Sequence, residues 1–180
     1  LTRAPPSPPS FFGGALTPAR VFFRRGDTDI EHPVAVAEVL YDNGFTDEDV
    51  LAAALLHDVI EDTDTDLSEI GSRFGPEVER LVAEMTENES IEPYAERKAE
   101  HRRRVARDGC VSAIYAADKL ATSRELRAEH AGTEGERLDH YLKTLEVMRE
   151  THPELPFLLE LRRELEQLAG RTVGARRSYA

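Results

Sequence analysis

The stretch that most constrains this chain is LAAALLHDVI at residues 51–60, apolar on every side of a helix except at His57 and Asp58. A helix with no polar face belongs at the centre of a fold. Burying an ionisable side chain without a partner costs several kcal/mol, so a histidine and an aspartate in that setting require a compensating group. A second apolar run, VSAIYAADKLA at 111–121, poses the same problem at Asp118. Upstream, His32 stands directly before Pro33, and Pro33 suits the first turn of a helix whose Val34, Val36, Ala37 and Leu40 share one face.

One divalent metal ion satisfies all four positions. Two neutral imidazoles, His32 and His57, and two carboxylates, Asp58 and Asp118, make a first shell that compensates a +2 charge. Mixed imidazole and carboxylate ligation with open positions suits a six-coordinate ion such as Mn²⁺ better than a closed zinc site. Glu61 and Asp62 follow His57 and Asp58 at i+4, which predicts that both carboxylates lie on the same side of one helix. There, a carboxylate beyond the ligands can accept a proton from a water activated at the metal. Taken singly, each residue has an ordinary structural explanation in capping or ion pairing; the combination points to the metal.

The rest of the pattern is helical. Asn43-Gly44 ends the Pro33 helix, and Thr46 is expected to cap the next, which should run on through Ile60. A short helix at 67–74 precedes Gly75-Pro76, which opens another carrying Val78, Leu81, Val82 and Met85. The segment YAERKAEHRRRVARDG at 94–109 is so charged that it is expected to be exposed, and two amphipathic helices near 136–150 and 154–168 close the domain. No stretch alternates with period two for long enough to make a strand. The expected fold is all-α, a single helical bundle at 15–169. It should sit between a flexible arm at 1–14, where prolines cluster, and a flexible basic tail at 170–180.

Bulk properties narrow the function. A net charge of -12 argues against a protein that coats nucleic acid or an anionic membrane, yet leaves room for a small anionic substrate held by a few local cations. No apolar run approaches the ~20 residues that span a bilayer. The single cysteine, Cys110, suits a reducing, cytoplasmic setting. Nothing in the sequence fixes an oligomeric state.

Several segments resemble the hydrolase domain of the RelA/SpoT family. They are EHP at 31–33, AALLHDVIEDTDT at 53–65, FGPEVERLVAEMTE at 74–87 and AADKL at 116–120. The HDxxEDT run followed by the FG segment carries the resemblance; a bare His-Asp pair does not. The resemblance implies an HD-domain helical bundle that removes pyrophosphate from the 3′ position of (p)ppGpp. It also implies His32, His57, Asp58 and Asp118 as ligands of one Mn²⁺, with Glu61 and Asp62 serving the attacking water. Arg137 and Tyr141, at i and i+4, resemble a pair that contacts the nucleotide in small stand-alone hydrolases of the family. Arg24 and Arg25 resemble its basic pair ahead of the first ligand. With 180 residues the chain is expected to be a stand-alone hydrolase, without the synthetase and regulatory domains of long members.

Two departures stand out. Thr122 occupies a position where the family usually has Asn, so it is a substrate contact of altered chemistry, and VFF occupies the region where the family commonly has a histidine in the helix ahead of the basic pair. Two other readings therefore stay open. One is an HD phosphohydrolase of another nucleotide (a nucleoside monophosphate, a deoxynucleotide or NADPH); the other is a degenerate nucleotide-binding regulator. Two-metal cyclic-dinucleotide phosphodiesterases are disfavoured, because His101 is the only further histidine between the His-Asp pair and Asp118. His101, His130, His140 and His152 are all expected to be exposed.

Overall fold

The computed structural model describes residues 12–26, 28–129 and 135–177, and among these there are helices and no strand. In chain order they are α1 (Phe12–Phe23), α2 (Glu31–Asp42), α3 (Glu48–Leu56), α4 (Val59–Asp62), α5 (Leu67–Phe74), α6 (Pro76–Met85), α7 (Tyr94–Val105), α8 (Gly109–Ala128), α9 (Gly135–Thr151) and α10 (Leu158–Arg177). The all-α bundle read from the sequence is what forms. Most of the expected flexible arm, 1–11, lies outside the described residues. The last helix runs past Gly170 to Arg177, with no proline to stop it before that point.

The apolar run at 51–56 is buried on all sides, as a helix without a polar face must be, and Leu51, Leu55 and Leu56 are each no more than 1% exposed. α8 is the second central element. It packs against α2, α10, α9, α3 and α6 and buries Ile114, Tyr115, Leu120 and its alanines. The start of α8 is fixed by Asp108, whose carboxylate accepts from the Cys110 and Val111 N–H groups at 2.8 and 3.1 Å. Gly75, at φ 99°, joins α5 to α6 in a conformation that favours glycine, and Pro76 follows at the first helical position.

Two local expectations change. The cap of α3 is Asp47 and not Thr46: the Asp47 carboxylate accepts from the Asp49 and Val50 N–H groups at 3.0 and 3.1 Å. An ionised acceptor there also meets the positive end of the helix dipole. Nor does α3 run on through Ile60. It stops at Leu56, and α4 restarts at Val59, with Asp58 at φ -96° and ψ -4° between them. That interruption matters for the site.

Candidate functional site

On an unbroken helix, consecutive side chains point about 100° apart. At the break between α3 and α4, His57 and Asp58 nevertheless meet, with His57 Nε2 3.1 Å from Asp58 Oδ1. α2 brings His32 to that point and α8 brings Asp118: His32 Nε2 lies 3.3 Å from Asp118 Oδ1 and 4.0 Å from Asp58 Oδ2. One donor atom from each of His32, His57 and Asp118 falls within 4.8 Å of the others. Donor atoms of His32, His57 and Asp118 thus converge from separate helical segments, and Asp58, the fourth residue expected as a ligand, lies beside them.

The outer bonds of these histidines fix their tautomers. His57 Nδ1 donates to the Ala54 carbonyl at 2.8 Å, which leaves the Nε2 lone pair pointing inward. That atom is buried with no well-formed hydrogen bond, despite the nearby Asp58 oxygen. His32 Nδ1 pairs with Glu125 Oε1 at 2.9 Å and turns its own Nε2 to the cluster. Burial opposes charge on both rings, but the surrounding carboxylates outweigh it. Asp118 and Glu125 push His32 up to about 9, and Asp58 with Asp118 raises His57. Burial likewise opposes ionisation of Asp118, yet Lys119 and the two histidines hold it well below the usual carboxylate range. This cluster calls for two positive charges. A divalent cation supplies them at a point where an orphaned buried nitrogen and two carboxylates already converge, so the residues present fit one.

The cluster lines a cavity of about 420 Å³. Glu61, Thr122, Arg137 and Tyr141 also line it, as their assignment requires. Arg137 Nε donates to the Tyr141 hydroxyl at 2.8 Å, and its guanidinium stacks 5.6 Å from the ring centroid. Thr122, however, bonds within its own helix: its hydroxyl lies 3.0 Å from the Asp118 carbonyl and 3.2 Å from Asp118 Oδ1. It therefore touches the Asp118 carboxylate directly.

Glu61 and Asp62 do not share a side. Being neighbours on a single turn they diverge, Glu61 into the main cavity and Asp62 into a shallower one that also borders His32, Asp58 and Glu125. Glu61 Oε1 accepts from the Glu87 N–H at 2.8 Å. Desolvation by the surrounding wall pushes both carboxyl groups above their ordinary values, with the Asp58 charge adding to each. Arg24 and Arg25 are not among the lining residues. Arg25 instead pairs with Glu69 at 2.7 Å and stacks on Phe22.

Several site residues escaped the sequence reading. Lys119 is half-buried against Asp118 and lies over the Tyr115 and Tyr141 rings at 4.7 and 5.5 Å. A lone lysine inside the apolar 111–121 run was a signal available for it. Glu87 ends the 74–87 segment, whereas Tyr94 and Lys98 come from the charged segment expected to be exposed, one face of which is buried instead. His101 is 2% exposed with its ring edge on Tyr115, and Arg102 is 8% exposed. His140 is also buried, at 3%, because α7 and α9 pack together over it. His152 is half-buried, its Nε2 donating to the Ala106 carbonyl at 3.0 Å, and His130 lies outside the described residues.

Comparison with known proteins gives a consistent result. The sequence model of the HD domain family matches residues 21–147. The chain is 39% identical over 121 residues to mouse guanosine-3′,5′-bis(diphosphate) 3′-pyrophosphohydrolase MESH1, covering 66% of this chain and 67% of that protein. To the Drosophila melanogaster protein of the same name it is 37% identical over 138 residues, 73% of this chain and 76% of the relative. Among solved structures, a metazoan orthologue of SpoT described as hydrolysing ppGpp superposes with a TM-score of 0.73 at 31% identity, covering 91% of this chain and 98% of the other. Lmo0812 from Listeria monocytogenes superposes with a TM-score of 0.69 at 30% identity, over 77% and 98% of the two chains.

Proposed function

The chain belongs to the HD domain family, and from that membership and its site we propose that it is a metal-dependent (p)ppGpp hydrolase, releasing pyrophosphate from the 3′ position of guanosine 3′,5′-bis(diphosphate). One observation carries the reading: a His₂Asp₂ cluster and a set of cationic and aromatic side chains line the same cavity of about 420 Å³. Such a cavity accepts a nucleotide whose phosphates reach the cluster while its remainder lies among Lys98, Arg137, Tyr94 and Tyr141.

His32, His57, Asp58 and Asp118 would hold the cation, and Mn²⁺ suits this imidazole and carboxylate set. When bound, it supplies Lewis acidity and charge neutralisation at the phosphate. The protein's own groups do the rest. Glu61, one oxygen held by the Glu87 N–H and the other facing the cavity, accepts the proton of the attacking water. The water oxygen attacks the phosphorus attached to the 3′ oxygen, that P–O bond breaks, and the 3′ oxygen regains a proton. Asp62, on the far flank of Asp58, serves the same exchange from outside the main cavity. Lys119 offsets anionic charge beside Asp118 and keeps that carboxylate ionised. Thr122 steadies it. Arg137 and Tyr141 act as a single unit against the nucleotide.

No described helix is long and apolar enough to cross a membrane. The net charge of -12 and the lone cysteine support a cytoplasmic protein acting on a small nucleotide and not on a polymer. The test is the purified chain with Mn²⁺, given ppGpp, NADPH and deoxynucleotides in parallel. GDP and pyrophosphate should appear from ppGpp in equal amounts. Turnover of NADPH or a deoxynucleotide with ppGpp untouched would overturn the substrate assignment and leave the hydrolase.

A further inference from the structure

Beyond the main cavity lies a smaller one of about 140 Å³, and the two share Tyr94, Lys98 and His140 in their walls. Its floor is Arg102. That side chain is 8% exposed, and among the described residues its one hydrogen bond runs from Nη1 to His140 Nδ1, at 2.6 Å. A guanidinium carries five N–H donors and a fixed charge, so most of its capacity remains unspent.

A buried arginine is ordinarily matched by a carboxylate, because an unpaired buried charge is costly. Here the partner is an imidazole that must accept, since guanidinium can only donate. His140 is accordingly neutral: burial, Lys119, Lys98 and Arg102 push it down to about 2. Its Nε2 then carries the proton and faces the Tyr115 hydroxyl at 3.4 Å. The pair thus keeps its full positive charge. Other charges at this cavity largely cancel within themselves. Lys143 is matched by Asp139 at 2.7 Å, and Lys98 is matched by Glu87. Glu136 stands at the solvent-exposed rim. Among the described residues, no carboxylate comes within ion-pair distance of Arg102.

We propose that this smaller cavity is a subsite for the second anionic group of the substrate, the 5′-diphosphate of a nucleotide whose 3′-phosphates lie at the His/Asp cluster, with Arg102 as its anchor. The assignment rests on the nucleotide reading above. It adds a specificity element: none of the ligand cluster lines the smaller cavity, so Arg102 senses the phosphorylation state of the far end and takes no part in bond breaking. Affinity should therefore rise with each 5′-phosphate, while the chemical step stays the same.

The test separates the two ideas. Calorimetric titration of wild type with guanosine, GMP and GDP needs no turnover, and the expected affinity increases roughly tenfold per phosphate. In Arg102→Gln the series should collapse to within about threefold, and Arg102→Lys should recover part of it. In kinetics, Arg102→Gln should raise KM for ppGpp about tenfold or more and leave kcat within twofold. A flat guanosine, GMP and GDP series in wild type overturns the subsite even if ppGpp is hydrolysed. A steep series in a protein inactive on ppGpp overturns the hydrolase reading and leaves the subsite standing. A fall in kcat in Arg102→Gln with KM unchanged also overturns the proposal. Wild-type titration decides the matter should Arg102→Gln fail to fold.

Discussion

Replacing Glu61 by Gln removes one ionisable oxygen from the cavity and almost nothing else. The Glu87 N–H now donates to Glu61 Oε1 at 2.8 Å, and the amide oxygen of Gln can accept that bond in its place. Exchanging a charged acceptor for a neutral one should cost about 1 kcal/mol of stability. The fold and the cation cluster should persist, since Glu61 is not among the converging donors. What disappears is the proton acceptor, and loss of such a group typically slows the chemical step 10²–10⁴-fold, at least ~2.7 kcal/mol of transition-state stabilisation. Steady-state kinetics on ppGpp should therefore show kcat down by about a hundredfold or more with KM little changed. The pH profile gives a second reading. Desolvation and neighbouring carboxylates raise Glu61, and a base works only when ionised. Wild-type activity should therefore fall as pH drops through a value above the ordinary glutamate range, and that limb should be absent from the variant. If kcat stays within threefold of wild type and the acid limb remains, the proton acceptor is not Glu61. Asp62→Asn, run in parallel, then shows whether the neighbouring carboxylate has the role.

Stripping metal with a chelator should lower the melting temperature by about 5–10 °C, reversed by Mn²⁺: saturation at a hundred times Kd is worth about 2.7 kcal/mol, and each kcal/mol moves a domain of this size by ~2–4 °C. Identical melts with and without chelator would count against the cluster as a cation site, as would undiminished metal content in His57→Ala. Because His140 is held at about 2 when folded and returns to about 6.5 when unfolded, the unfolded chain takes up the extra proton as pH falls below 6.5. Wild type should lose about 1.4 kcal/mol per pH unit in that range relative to His140→Asn, measured by urea unfolding; parallel curves would show that His140 is protonated in the fold. Thr122→Val keeps the shape of the side chain and removes the hydroxyl from Asp118, so it should weaken metal affinity roughly tenfold or more. Unchanged affinity with a raised KM would return Thr122 to the nucleotide.

The His/Asp cluster was legible in the sequence because burial penalises charge. His57, Asp58 and Asp118 stand out within apolar runs, and each needs a reason for being there. Thr122, Arg137 and Tyr141 were placed in the cavity by helical spacing from a resemblance, and spacing survives folding. What sequence could not give was anything set by a break or by the meeting of two charged faces. Periodicity runs straight through His57-Asp58, so the interruption between α3 and α4 left no trace in the pattern. The segment at 94–105 is polar enough to read as solvent-exposed, yet α8 and α9 cover one face of it, which buries His101 and Arg102. Arg25 was given to the substrate because it precedes His32, but Glu69, 44 residues away in sequence, pairs with it instead.

The bond between Glu61 and the Glu87 N–H ties the site to the segment between α6 and α7. That segment is fastened chiefly by side chains of α7: Arg97 and Lys98 on the Glu87 carboxylate, and Arg104 on the Thr86 carbonyl at 2.7 Å. Partly exposed ion pairs weaken with salt, and surface segments open at a free energy well below that of global unfolding. Heat and ionic strength should therefore disarm the site while the helices are still intact. The solvent-exchange rate of a single amide, that of Glu87, would serve as a gauge of how often the proton acceptor is out of position.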